Sequence, residues 1–147
     1  NYIFMEKISL DASIEEIVKE LDDKKLLYLT SSKIKELKNN ILQKLQLSRN
    51  ELLHFHKVLN EYRYVDELDE IKIGAYIRWF NLKQVETLKL TNGGFIVDVQ
   101  TNGDEIRIIC KNKLNRFFSL KIDECILFQK INTQEKLLIK IIDYVSK

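Results

Sequence analysis

Proline is absent from this sequence, and glycine, cysteine and histidine are scarce, at four, two and two residues in a chain of 147. Each scarcity removes a class of reading. Cys110 and Cys125 cannot build a disulfide scaffold, and their spacing fits no zinc motif. Reduced thiols in an intracellular compartment are the expectation. His54 and His56 leave imidazole catalysis little material, and two positions apart on a helix they face different ways, so they cannot share a metal ion. No run approaches the ~20 apolar residues of a membrane span, and no charged-then-apolar leader pattern opens the chain, so neither a membrane partner nor a secretory signal is expected. The first residue is Asn, and Met5 in "NYIFMEKI" reads as a candidate native start. Neither phosphate-cradling glycine loop, G-x-x-x-x-G-K-[ST] or G-x-G-x-x-G, is present.

What is present is ordinary in amount and uneven in placement. Apolar residues make up 45% and charged residues 31%, the balance of a globular protein. A chain of this length suits one domain, or a small domain with a helical extension, and buries enough surface to need no staples. Lys, Ile and Asn abound, a composition that fits an AT-rich genome and says nothing of chemistry. The net charge of +2 divides into −3 over residues 1–70 and +5 over residues 71–147. The second half is therefore mildly basic, which suggests a polyanion without the strong basicity of a dedicated nucleic-acid binder.

Periodicity divides the chain in the same place. Ser13 and Glu16 form a capping box before a helical stripe of Ile14, Ile17, Val18 and Leu21. A second helix is expected from about Ser31 to Leu45, with Ile34, Leu37, Ile41 and Leu45 inward. A third opens at Ser48, with Glu51 as the reciprocal cap, Leu47 and Leu52 as a staple, and Leu52, Phe55, Leu59 and Tyr62 as its apolar face. The last two predict an αα-hairpin with its corner near Leu47. Asp66, Glu67, Asp69 and Glu70 then read as a solvated linker rather than a metal site.

From Lys72 the period becomes two. "AYIRWF" and "QVETLKL" read as strands, and "FIVDVQTNGDEIRIIC" reads as a hairpin about Asn102-Gly103, a preferred two-residue type I′ loop. That loop would set Phe95, Val97 and Val99 opposite Cys110, Ile108 and Ile106 on a core face, and Asp98 opposite Arg107 on the other. "RFFSLKI" and "ECILFQKI" follow. Asn132 to Glu135 cap a last helix with Leu138, Ile141, Ile142 and Val145 as its stripe. The expected fold class is α+β: a helical N-terminal part over residues 1–65, a five-stranded SH3-like β-barrel over 71–131 that closes its own edges, and a C-terminal helix over 132–147 packed on the rest.

The stretches "YRYVDELDEIKIGAYIRWF", "LTNGGFIVDV", "IICKN" and "NRFFSLKIDECILFQK" together resemble small uncharacterised proteins of the nucleocytoplasmic large DNA viruses. In those proteins a G-x-Y-I-R strand, a G-G-F turn and a late I-x-F-x-K strand mark an SH3-like fold. The resemblance covers residues 62–131, and its motifs are structural. It implies a viral protein in the host cytoplasm or viral factory, with packaging in the virion as a further expectation. It implies no catalytic residue, metal or cofactor.

Read for chemistry, the residues point the same way. Glu51 and His54 have the Glu-x-x-His spacing of helical di-iron sites, but a single copy is present and Glu51 is spent on capping. Cys110 falls on the expected core face, and the carboxylates of "DECILF" would raise the Cys125 thiol rather than activate it. No enzyme is expected, and no metal or cofactor. The remaining feature is a basic band of Arg107, Lys111, Lys113, Arg116 and Lys121, with Arg78 beside Tyr76, Trp79 and Phe80. Small barrels bind nucleic acid by pairing such cations with stacking aromatics. Against that, Asp98, Asp123 and Glu124 interrupt the band and Trp79 can simply fill the core. The first expectation is therefore a non-catalytic interaction protein that binds a protein partner through barrel and helices. A nucleic-acid-binding accessory factor using Tyr76, Arg78 and the basic band is the alternative.

Overall fold

The structure, a computed structural model, describes Glu16, residues 30–83, Glu86 and residues 88–145. The helix expected at Ser13 lies outside the described residues except at Glu16, which is helical. Contacts divide the chain into two units, residues 37–132 and residues 1–36 with 133–147.

α1 (Ser31–Gln43), which belongs to the larger unit from Leu37 onward, and α2 (Arg49–Val58) form the expected hairpin. Gln46 turns the corner with φ 54. Ser48 and Glu51 complete the capping box, the Ser48 hydroxyl accepting from the Glu51 amide at 3.2 Å. Of the expected inward stripe of α1, Ile34 is buried and Ile41 and Leu45 pack on the core, but one position differs. Leu37 is exposed, while Lys38 and Leu42 are buried. The Lys38 ammonium stays inside because it donates to the carbonyls of Leu59, at 2.9 Å, and Tyr62, at 3.0 Å. These carbonyls belong to the C-cap of α2 and the first residue of the next strand, and a buried cation needs such partners. Tyr62 itself does not extend α2; it opens a strand.

That strand, β1 (Tyr62–Val65), changes the architecture. With β2 (Tyr76–Asn81), β3 (Gly94–Asn102), β4 (Glu105–Lys111), β5 (Phe117–Lys121) and β6 (Cys125–Lys130) it makes one antiparallel sheet in the order β1-β6-β2-β3-β4-β5. The closed five-stranded SH3-like barrel is thus corrected to an open six-stranded sheet within an α+β fold. Two local facts explain the difference. Residues 62–65 pair with β6, as Tyr64 with Phe128 and Val65 with Leu127, which adds a strand at one edge. "QVETLKL" supplies no strand among its described residues, only a bridge from Leu90 to Phe80. The edges β1 and β5 do not pair with one another.

One face buries Val65, Ile77, Trp79, Ile96, Ile108, Cys110, Leu120 and Leu127, drawn from all six strands. Among the described residues only strand residues and the nearby Ile71, Ala75 and Ile122 pack on this cluster. Among the described residues no α-helix packs on it. The opposite face is covered on β1, β6 and β2 by the helical hairpin. There Leu42 and Leu59 meet Phe80, Ile126 and Phe128, and Phe55 sits edge-on to Phe80 at 5.0 Å. Among the described residues the covering stops at β2. The acidic segment is exposed at Asp66, Glu67 and Asp69, yet it is anchored: buried Gln129 accepts from the Lys72 amide at 3.1 Å and donates to the Glu70 carbonyl at 3.2 Å.

The expected register of the β3–β4 hairpin is also corrected. The loop is Gly103-Asp104, closed by the pair Asn102–Glu105, with Gly103 at φ 65 and Asp104 outside the positive-φ region. Glycine at the first central position is the type II′ arrangement. Val99 pairs with Ile108 and Gln100 with Arg107, so Asp98 faces Ile109, not Arg107. Between Ile96 and Asp98 a β-bulge shifts the register, and Ile96 pairs with Cys110. Both Ile96 and Val99 therefore pack inward although three residues apart, while Phe95 and Val97 are exposed. A bulge allows this by spending one extra residue on the outer side.

In the smaller unit, α3 (Thr133–Val145) buries Ile142, as expected, together with Glu135 and Ile139, while Leu138 and Ile141 of the expected stripe are half-buried and Val145 is exposed. The Asp143 carboxylate accepts from the Ser31 amide at 3.0 Å and from the Ser31 hydroxyl, which fixes the N-terminal turn of α1.

Candidate functional site

Phe95, placed on the outer face by the bulge, is the centre of the candidate site. Tyr76 pairs with Phe95, Phe95 with Lys111 and Lys111 with Phe117, so one residue from each of β2, β3, β4 and β5 stands in a single row. Directly opposed residues project from the same face. The row continues the face that the helices cover on the other side of Tyr76. Tyr76 and Phe95 meet edge-to-face at 4.9 Å, and the Lys111 ammonium lies over the Phe117 ring, 5.7 Å from its centroid. Phe95 is 48% exposed and Phe117 65%. Rings left in water on a sheet face mark a contact surface more than a packing need.

At the Tyr76 end the row opens into a cavity of about 690 Å³ lined by Tyr62, Tyr76, Arg78, Trp79, Asn112, Lys113 and Phe118, with Thr91 to Gly93 and Leu114 completing it. Its walls are built by two turns. In the first, Tyr76 donates its hydroxyl to the Asn92 carbonyl at 2.5 Å, and Arg78 Nε donates to the Thr91 carbonyl at 2.8 Å. Gly93 has φ 95, and a methyl there would overlap the Ile77 carbonyl oxygen and crowd Tyr76 and Arg78. Only glycine lets this turn lie against β2. In the second, the Asn112 side-chain oxygen accepts from the amides of Leu114 and Arg116, both at 2.9 Å, and Asn115 adopts φ 62. The turn that carries Lys113 and Leu114 is therefore held by its own hydrogen bonds.

The sequence-derived cations separate into two sets. Arg107 and Lys121 face each other across β4 and β5, and Glu105 bridges both at 3.1 Å. The Lys121 hydrogen bond, aided by Arg107, holds the Glu105 carboxyl below its usual range. These two charges are locally neutralised. Arg78, Lys111, Lys113 and Arg116 make no ion pair among the described residues. Lys111 stands in the row, Arg78 and Lys113 line the cavity, and Arg116 follows in the same turn. Burial raises the Tyr62 phenol, and the charge of Arg78 acts against that rise, which places the guanidinium within electrostatic reach of the cavity floor.

Phe95, Phe117, Phe118, Asn112 and Gly93 complete the site and were not singled out as binding residues by sequence. The doublet Phe117-Phe118 beside the basic turn "KNKLNR" is the signal that could have found two of them. Trp79 belongs both to the core cluster and to the cavity wall. The thiols offer no nucleophile: burial pushes Cys110 up to about 12 and Cys125 up to about 11, the latter with help from Glu124 and Asp123. His54 is exposed, and His56, held by Asn39 at 3.1 Å, is lowered by burial and by Lys38. Among the described residues no three of His, Cys, Asp and Glu converge as metal ligands, and no helix is long and apolar enough to cross a membrane. Comparison with protein-family models, curated proteins and solved structures finds no match to this chain.

Proposed function

We propose that this protein is a non-catalytic binding module whose uncovered sheet face takes single-stranded nucleic acid. The observation that carries this reading is the row Tyr76–Phe95–Lys111–Phe117, with its cation in no ion pair among the described residues and its outer rings in water. Bases have flat faces that stack on such rings whatever their sequence, and phosphates need cations that no carboxylate has already claimed. Phe95 and Phe117 stand two strand spacings apart, roughly 10 Å, with Lys111 between them. That alternation of ring and charge follows the alternation of base and phosphate. A duplex, with its bases stacked inside, would leave the rings idle. A protein partner, the other expectation, would have to bring carboxylates to the same cations as well as apolar groups to the rings.

The test is a salt titration of fluorescently labelled single-stranded and duplex oligonucleotides by anisotropy. Arg78, Lys111, Lys113 and Arg116 supply four phosphate contacts, so the logarithmic salt slope for a single strand should be roughly −3. Phe117→Ala should weaken the complex by about 1–3 kcal/mol, a factor between roughly 5 and 160. Absence of binding at low salt, or equal binding by Phe117→Ala and the parent, would remove nucleic acid as the ligand and leave the exposed rings as a protein contact.

A further inference from the structure

We infer that the cavity beside the row is a receptor for one nucleoside monophosphate unit, a planar base joined to a phosphate. This deepens the reading of the row, since Tyr76 belongs to both, and it rests on that reading only for the source of the unit. The volume, about 690 Å³, is that of a small-molecule site. The chemistry of the wall selects the ligand. Arg78 and Lys113 are its charged residues, and none of the described residues lining it is a carboxylate. An anion is therefore favoured at one part of the wall. Tyr62, Tyr76 and Phe118 supply ring surface for a flat apolar group.

The hydrogen-bonding inventory is donor-rich. Asn112 spends its side-chain oxygen on the amides of Leu114 and Arg116, which leaves its NH2 group to donate. Thr91 spends its hydroxyl oxygen on the Trp79 amide at 3.2 Å and keeps its O–H. Arg78 spends only Nε, on the Thr91 carbonyl, so its two terminal nitrogens remain available while the side chain is held in place. Fixed donors beside rings suit a ligand rich in acceptors, such as phosphate oxygens and the carbonyl or ring-nitrogen edges of a base. A sugar alone would not use the charge, and a free phosphate would not use the rings.

Trp79, the chain's single tryptophan, lines the cavity, so its fluorescence reports occupancy directly. The full chain is titrated with adenosine and uridine monophosphates, the matching nucleosides, inorganic phosphate, and a short oligonucleotide with or without a 5′-phosphate. The monophosphates should change the emission saturably, at least tenfold more tightly than either nucleoside or phosphate. Lys113→Ala, a change at an exposed turn residue, should weaken that binding about tenfold without altering the unligated spectrum, and Lys113→Arg should restore it. Silence of Trp79 toward the monophosphates would overturn the inference, and so would equal binding by inorganic phosphate. If the oligonucleotide binds in anisotropy while Trp79 remains silent to every ligand, the row stands and the cavity falls. A response to the monophosphates with no oligonucleotide binding upholds the cavity, names the free nucleotide as its source and removes the row.

Discussion

Gly93 and Gly74 form a controlled pair for asking what a single residue does here. Their φ angles are nearly equal, 95 and 93, so an alanine would meet the same backbone strain at either position. Their surroundings differ. A methyl at Gly74 meets nothing within 4 Å, whereas at Gly93 it meets the Ile77 carbonyl oxygen and the side chains of Tyr76 and Arg78. Gly74→Ala should therefore cost only the conformational term, about 1–2 kcal/mol. Gly93→Ala should cost clearly more in chemical unfolding and, by displacing Tyr76 and Arg78, should also abolish the Trp79 response to nucleotide. Equal losses for the two variants would show that the turn yields and that the close approach is unimportant. Lys38 offers a second test at this scale. Lys38→Met keeps the length but removes the donor to two carbonyls, and should cost about 1–3 kcal/mol.

Among the elements, β3 shows where the sequence could be read and where it could not. The hairpin and the inward positions of Val99, Ile108 and Cys110 follow from alternation and from glycine at a turn, although the loop lies one residue later than the Asn102-Gly103 signal placed it. The bulge does not, because "GFIVDV" offers three consecutive apolar residues and either parity fits half of them. Ile96 goes inside through pairing with Cys110, a tertiary fact that no local pattern carries. The one extra residue reverses the faces of Phe95 and Val97, so strict alternation does not show the row. The helical hairpin was legible because its caps are local; the strand role of Tyr62 was not, because its partner lies at Lys130. The bulge makes a sharp prediction about deletions. Removing Val97 would put Ile96 and Val99 two apart, the ordinary strand spacing, and should leave a folded protein. Removing Gln100 instead would shift every pair nearer the loop and should unfold the hairpin. Comparable thermal midpoints for the two deletions would contradict the assigned register.

For the whole molecule the clearest consequence is a loss of stability at high pH. Cys110 belongs to the core cluster shared by the six strands, and Cys125 packs against it. Burial holds their thiols protonated in the folded protein, up to about 12 and about 11 against an ordinary 9.0. Below pH 9 both states carry both protons and the thiols make stability neither rise nor fall. Above it the unfolded chain releases its protons while the folded one keeps them, so the unfolded state gains, by about 1.4 kcal/mol per pH unit for each thiol. The fall should slacken near pH 11, where Cys125 begins to ionise in place. Tyr62 and Tyr64, also raised by burial, add to the same trend above pH 10. Urea midpoints measured under reducing conditions from pH 8 to 10.5 should therefore drop steeply for the parent. A variant with Cys110→Ala and Cys125→Ala starts lower, having lost packing, but should lose less with each pH unit. Parallel slopes for parent and variant would mean that the thiols ionise freely, and that the face opposite the row is not the dry interior on which the position of the whole exposed row depends.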